Sequence, residues 1–160
     1  MPHQLDVKTP NDFDLVCTRI FAAPRRLVFD CHTRPALVKR WLLGPPGWSM
    51  PVCEIDLSVG GRFRYLWRND TTGKEFGLAG TYREIAAPER IVYSEAFEDN
   101  QSAEALITTV FTETAGRTTM TMTISYPSQA LRDAALATGM TGGMAQSYDR
   151  LAKLLASPRA

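Results

Sequence analysis

Thr118-Thr119-Met120-Thr121-Met122-Thr123-Ile124-Ser125-Tyr126, then Pro127-Ser128, then a helical pattern over residues 129–156, is the stretch that decides the fold of this chain. Strict alternation puts Met120, Met122, Ile124 and Tyr126 on one face of a strand and the threonines and Ser125 on the other. The helical pattern carries Met140, Met144, Tyr148, Leu151 and Leu155 at spacings of four, four, three and four, one continuous apolar stripe. Gly139, Gly142 and Gly143 lie inside it. Each mid-helix glycine costs about 0.5–1 kcal/mol relative to alanine. Beside two methionines, they point to close backbone approach or to unfilled space. A sheet that grasps such a helix encloses room for a small molecule.

Working outward, residues 1–12 are polar and aperiodic and read as a flexible tail. Residues 13–22 read as a first strand with apolar side chains on both faces, so its inward face stays undecided. Ala23-Pro24 opens a short helix, and Thr33-Arg34-Pro35 restarts the chain with Thr33 as cap of a second, over residues 36–41. Gly44-Pro45-Pro46-Gly47 ends it. Strands follow over residues 50–57, 62–68, 75–86, 90–97, 105–113 and 117–126, separated by turn-forming residues such as Gly60-Gly61, Asn69-Asp70 and Gly116. In residues 62–68, Phe63, Tyr65 and Trp67 share one face, and Arg62, Arg64 and Arg68 the other. Strands grouped together, with helices segregated, give an α+β fold. The expected order is a strand, two short helices, six antiparallel strands and one long helix, forming a single domain over residues 13–156.

Composition excludes several classes of function. The 160 residues carry a net charge of +1, with 44% apolar and 22% charged side chains, ordinary for a globular domain. That balance offers nothing to nucleic acid or to a membrane surface. No apolar run is long enough to span a bilayer, and the N-terminus has no secretory pattern. Cys17, Cys31 and Cys53 have neither metal-ligand nor redox spacing and read as reduced thiols of a cytoplasmic protein. The only histidines are His3, in the tail, and His32, at a helix end. There is no phosphate loop, no nucleophile elbow and no metal cluster, so no cofactor, metal or catalytic set is predicted.

Four motifs carry a resemblance. They are Pro35-Ala36-Leu37-Val38-Lys39-Arg40-Trp41 with Gly44-Pro45 and Gly47-Trp48; Glu54-Ile55-Asp56-Leu57 with Gly60-Gly61-Arg62-Phe63; Gly80-Thr81-Tyr82-Arg83-Glu84-Ile85 with Pro88-Glu89-Arg90-Ile91-Val92-Tyr93; and Ser147-Tyr148-Asp149-Arg150-Leu151. In order and separation they resemble the START-like SRPBCC superfamily, in the branch of homologues of the activator of the heat-shock-protein-90 ATPase. The resemblance covers residues 13–156. It implies a helix-grip: a curved antiparallel sheet of about seven strands around a long C-terminal helix, with a cavity between them. It also implies an apolar ligand, because members of the superfamily bind lipids, hormones and polyketides, and some are cyclases or hydrolases. The branch name comes from a co-chaperone with an additional N-terminal domain and is not read as an activity.

The candidate lining of that cavity is Trp41, Phe63, Tyr65, Trp67, Tyr82, Tyr93, Glu95, Phe97, Met120, Met122, Met140, Met144 and Tyr148. The same aromatics would also serve as a packed core. Glu95 departs from the apolar residue that the family carries nearby. If Ile91, Tyr93 and Phe97 face inward, Glu95 does too, as an acid with a raised pKa; if Val92, Ser94 and Ala96 do, Glu95 is solvated. The expected function is binding of an apolar or aromatic small molecule. The alternatives are a cyclase, isomerase or hydrolase using the same cavity, and a stress-response or chaperone-interacting module acting through Leu42, Leu43 and Trp48. A homodimer through strand edges stays open.

Overall fold

The computed structural model describes residues 4–156, so His3 lies outside the described residues. The element order is β1 (Asp6–Lys8), β2 (Asp14–Phe21), α1 (Arg25–Thr33), α2 (Pro35–Trp41), β3 (Trp48–Ile55), β4 (Arg62–Asn69), β5 (Glu75–Ala86), β6 (Arg90–Phe97), β7 (Ala105–Thr114), β8 (Arg117–Ser125), α3 (Gln129–Ala137) and α4 (Met140–Ala156). The eight strands form one antiparallel sheet in the order β1-β2-β8-β7-β6-β5-β4-β3, open at both edges. This is the α+β helix-grip. Among the described residues no helix is long and apolar enough to cross a membrane.

Three expectations are corrected. Among the described residues the count is eight strands, because part of the polar N-terminal segment pairs with the sheet: Asp6, Val7 and Lys8 lie opposite Thr18, Cys17 and Val16. Three residues with exposed side chains carry no periodic signal, and backbone pairing alone places them. The long helix is two helices. Gly139 adopts φ +78° between α3 and α4, a left-handed conformation that ends a helix. Thr33 is not a cap: it ends α1, its hydroxyl donates to the Phe29 carbonyl at 3.0 Å, and Arg34 occupies the N-cap position of α2. Ser128 does cap α3, accepting from the Leu131 amide at 3.2 Å.

Strand register decides which side chains face the helices. Leu15, Cys17, Arg19 and Phe21 are the buried face of β2, opposite Ile124, Met122, Met120 and Thr118 of β8. On β4, Phe63 and Tyr65 are buried and Trp67 half-buried, while Arg62, Arg64 and Arg68 point outward. Two of these arginines meet glutamates: Arg64 makes a two-armed contact with Glu98 at 2.7 and 3.0 Å, and Arg68 pairs with Glu75 at 2.7 Å. Edge strand β3 carries exposed Pro51 within a register shift between Ser49 and Val52.

One turn of α4 ties the helix to the rest of the fold. Ser147 accepts from the Gly44 amide at 2.8 Å. Tyr148 packs between Phe21 and Trp41, with ring centroids 6.1 and 5.4 Å away. Asp149 receives the Arg19 guanidinium at 2.7 Å. Arg150 donates to the carbonyls of Trp41 and Gly44, both at 2.9 Å. At 100° per residue, four consecutive positions look in four directions, and each finds a partner. The loop after α2 is further held by Trp67, whose indole donates to the Leu42 carbonyl at 2.7 Å. Charge-assisted bonds to carbonyls are each worth about 1.5–3 kcal/mol. Arg150→Ala is therefore expected to lower unfolding free energy by about 3 kcal/mol in urea denaturation, with Arg150→Lys intermediate, because an ammonium cannot span two carbonyls as a planar fork does.

Candidate functional site

The inner face of β6 is where the sequence left two orientations open. Tyr93 lies opposite Tyr82 of β5 and Ile107 of β7, and Glu95 lies opposite Gly80 and Ala105. Tyr93 meets the rings of Phe63 and Tyr82 at 5.3 and 6.0 Å, so this parity of β6 faces inward, and Glu95 with it. Its cross-strand neighbours are the two smallest residue types. A Cβ on Gly80 would collide with the Ser94 carbonyl oxygen and the Phe63 ring, so glycine lets that ring approach the β5 backbone.

Glu95 has no hydrogen-bond or ion-pair partner among the described residues. Burial raises its pKa from 4.5 to about 7, with no neighbouring cation to offset it. Tyr65, Tyr82, Tyr93, Tyr126 and Tyr148 all feel its charge. In each, burial first and then nearby titratable groups, Glu95 among them, raise the hydroxyl pKa, to about 12 for Tyr126. All five tyrosines of the chain thus lie within electrostatic reach of one acid.

The remaining candidates divide by burial. Met120 and Trp41 are sealed, at 0% and 1% exposure. Trp41 donates to the Cys31 carbonyl at 2.8 Å and is a brace between helices. Trp67, Tyr93, Glu95, Met122, Met140 and Met144 face inward yet are only half-buried. Phe97, 49% exposed at the end of β6, leaves the set: the right parity does not compensate for a position where the sheet runs out of cover. Tyr126 joins it, with its hydroxyl 3.6 Å from the Met140 sulfur. Its alternation with Ile124 was the signal that could have included it.

Two core clusters meet at this place. One is built around Phe63, Tyr65, Tyr82, Trp41 and Tyr148, the other around Leu15, Cys17, Ile107 and Ile124. Tyr93, Met122 and Met144 border both, and none of the three is fully buried. The backbone of α4 comes closest to α2, α3, α1 and β2 rather than to the central strands.

His32 is not at a free helix end. Its ring lies 5.0 Å from both Trp41 and Phe111, Nδ1 is 2.7 Å from the Val28 carbonyl, and Nε2 is buried with no partner. Burial lowers its pKa to about 4, keeping it neutral. Among the described residues no group of acids, histidines and cysteines could hold a metal ion. An open depression where β7 begins and β8 ends is lined by Arg83, Ser94, Leu106 and Ser125 together with Ala105, the cross-strand neighbour of Glu95, and Tyr126.

The raised Glu95 pKa has a measurable cost. A carboxyl whose folded pKa exceeds its unfolded value costs nothing below about pH 4.5, and the penalty grows as pH rises through 7. At full ionisation it amounts to about 3 kcal/mol. Glu95→Gln is therefore expected to gain about 3 kcal/mol on wild type between about pH 4.5 and pH 8 in urea denaturation. A difference independent of pH would mean that the carboxyl is solvated.

Solved structures with the same fold come from several bacteria. A protein from Rhodobacter sphaeroides is 29% identical, with 96% of this chain and 98% of that one covered at a TM-score of 0.90. One from Mycobacterium smegmatis is 23% identical, with 99% and 100% covered at 0.86. An AHSA1-like protein from Aeromonas hydrophila is 18% identical, with 91% and 97% covered at 0.70. Comparison with curated proteins finds no match. The family model for Activator of Hsp90 ATPase homolog 1-like protein matches residues 22–156, nearly all of the helix-grip, and the chain belongs to that family.

Proposed function

We propose that this protein binds an apolar or aromatic small molecule between the inner face of its sheet and α4. The observation that carries this reading is the seam between the two core clusters, where inward-facing Tyr93, Met122 and Met144 keep accessible surface. Packed interiors leave few voids larger than a water molecule, and methionines adapt to varied shapes. Among the described residues Cys17, Cys31 and Cys53 form no disulfide, which fits a reducing, cytoplasmic setting.

A second reading, catalysis on the bound molecule, is favoured by Glu95, whose pKa burial raises to about 7 on the same strand face as Tyr93. It lacks a complementary base, since His32 is enclosed by rings. A surface-acting module has less support. Trp48 is half-buried against Phe76, at 5.4 Å between rings, and the loop before it is strapped to α4.

Native mass spectrometry of the purified protein, followed by a thermal-shift screen of flavonoids, fatty acids, sterols and polyketide-like aromatics, is expected to give a retained molecule or a concentration-dependent rise in Tm. Met144→Trp is expected to weaken binding while leaving stability within about 1 kcal/mol, because it fills open space. A loss of about 1–3 kcal/mol, as when a filled core is overpacked, would place no such space at Met144.

A further inference from the structure

Building on the proposed binding interior, we infer that its ligand carries a protonated amine, seated against the Glu95 carboxylate and the faces of the surrounding tyrosine rings. Four features of the inner face lead to this. Glu95 lies in mid-sheet, flanked across the strands by Gly80 and Ala105, so neither neighbour reaches past its backbone to cover the carboxyl. No described side chain hydrogen-bonds or ion-pairs with it. The one cation on the inner face of β2, Arg19, is committed to Asp149 at 2.7 Å and lies 5.5 Å from the Phe21 ring centroid. Around the acid stands an aromatic wall in which Phe63, Tyr65, Tyr82 and Tyr93 sit at centroid separations of 5.2 to 6.0 Å.

An acid enclosed this way is an incomplete ion pair. Protein interiors supply a counter-charge to a buried carboxylate or leave it protonated. Here no described residue supplies one, so the acid is protonated when the site is empty or is paired by a cation that enters with the ligand. Ring faces attract cations, and a carboxylate backed by several rings discriminates an ammonium from an alcohol of the same shape. A ligand carboxylate or phosphate would meet only negative charge and ring faces.

The groups facing Glu95 also fix the pH behaviour. They are Tyr65 from β4, Tyr82 from β5, Tyr93 from β6 itself, Tyr126 from the end of β8 and Tyr148 from α4, all neutral below pH 9 because burial raises them. Cys17 and Cys53, raised by burial to about 11, stay protonated. Between about pH 5 and pH 8, only Glu95 among these groups changes charge.

The test uses matched pairs of probes that differ only in ammonium against hydroxyl: tryptamine and tryptophol, tyramine and tyrosol, phenethylamine and 2-phenylethanol. Affinities are read by calorimetry on the intact protein from about pH 5 to pH 8, for wild type and Glu95→Gln. We expect amines to bind wild type at least about tenfold more tightly than their alcohols at pH 8. Amine affinity should fall about tenfold per pH unit below about pH 7, with alcohol affinity flat. Glu95→Gln should lose the preference for amines while keeping alcohol binding. Alcohols binding as well as amines, or an unchanged amine preference in Glu95→Gln, would overturn the amine assignment and leave the binding interior standing. Binding of neither series, together with no hit in the broader screen, would overturn both. Should Glu95→Gln fail to fold, the pH profile of wild type alone decides: a flat profile for the amines overturns the assignment.

Discussion

Ser147 to Arg150, one turn of α4, is the constraint on which the rest of this structure depends. A helix laid on a curved sheet would ordinarily sink until its apolar stripe met the strands. Here its position is set by directional bonds: to the loop after α2 through Ser147 and Arg150, to β2 through Asp149, and to the aromatic centre through Tyr148. These contacts concentrate in the middle of the helix. The preceding turns carry Met140 and Met144, which pack half-buried against the core clusters. Gly143 fits the same arrangement, since a Cβ there would touch the Pro45 ring at 3.4 Å, where the strapped loop crosses the helix.

A fold held in this way can tolerate an interior that is not optimised for stability. Glu95 is the clearest instance, an acid whose ionisation opposes folding at neutral pH while every neighbour that senses it is a neutral hydroxyl. Structural acids are normally paired or exposed, and on the outer face of this sheet Glu98, Glu75 and Glu84 each pair with an arginine. The contrast between the two faces of one sheet supports the proposed binding role of Glu95.

Much of the fold was legible in the sequence, because alternation and turn residues are local signals. The strands over residues 75–86 and 90–97 were read with the boundaries the structure gives. What failed depended on partners. The strand Asp6–Lys8 has no pattern of its own and exists because β2 offers an unpaired edge. Gly139 differs from Gly142 only in backbone conformation, which residue type alone does not specify. For the site, alternation could state that Glu95 and Tyr93 share a face but not which face. That choice needed the register that sets Glu95 against Gly80 and Ala105. Phe97 shows the converse limit, a residue with inward parity that lies beyond the cover of the helices.

The two edges of the sheet bear on how the protein behaves in a crowded solution. At one edge, β1 is three residues long and polar. At the other, β3 is interrupted by a proline, which has no N–H to donate, and by a register shift that bends the strand. Neither presents a long, flat row of unpaired backbone groups. An edge blunted in this way is a poor template for strand addition by another chain, so the open sheet resists the runaway edge-to-edge association that leads to aggregates.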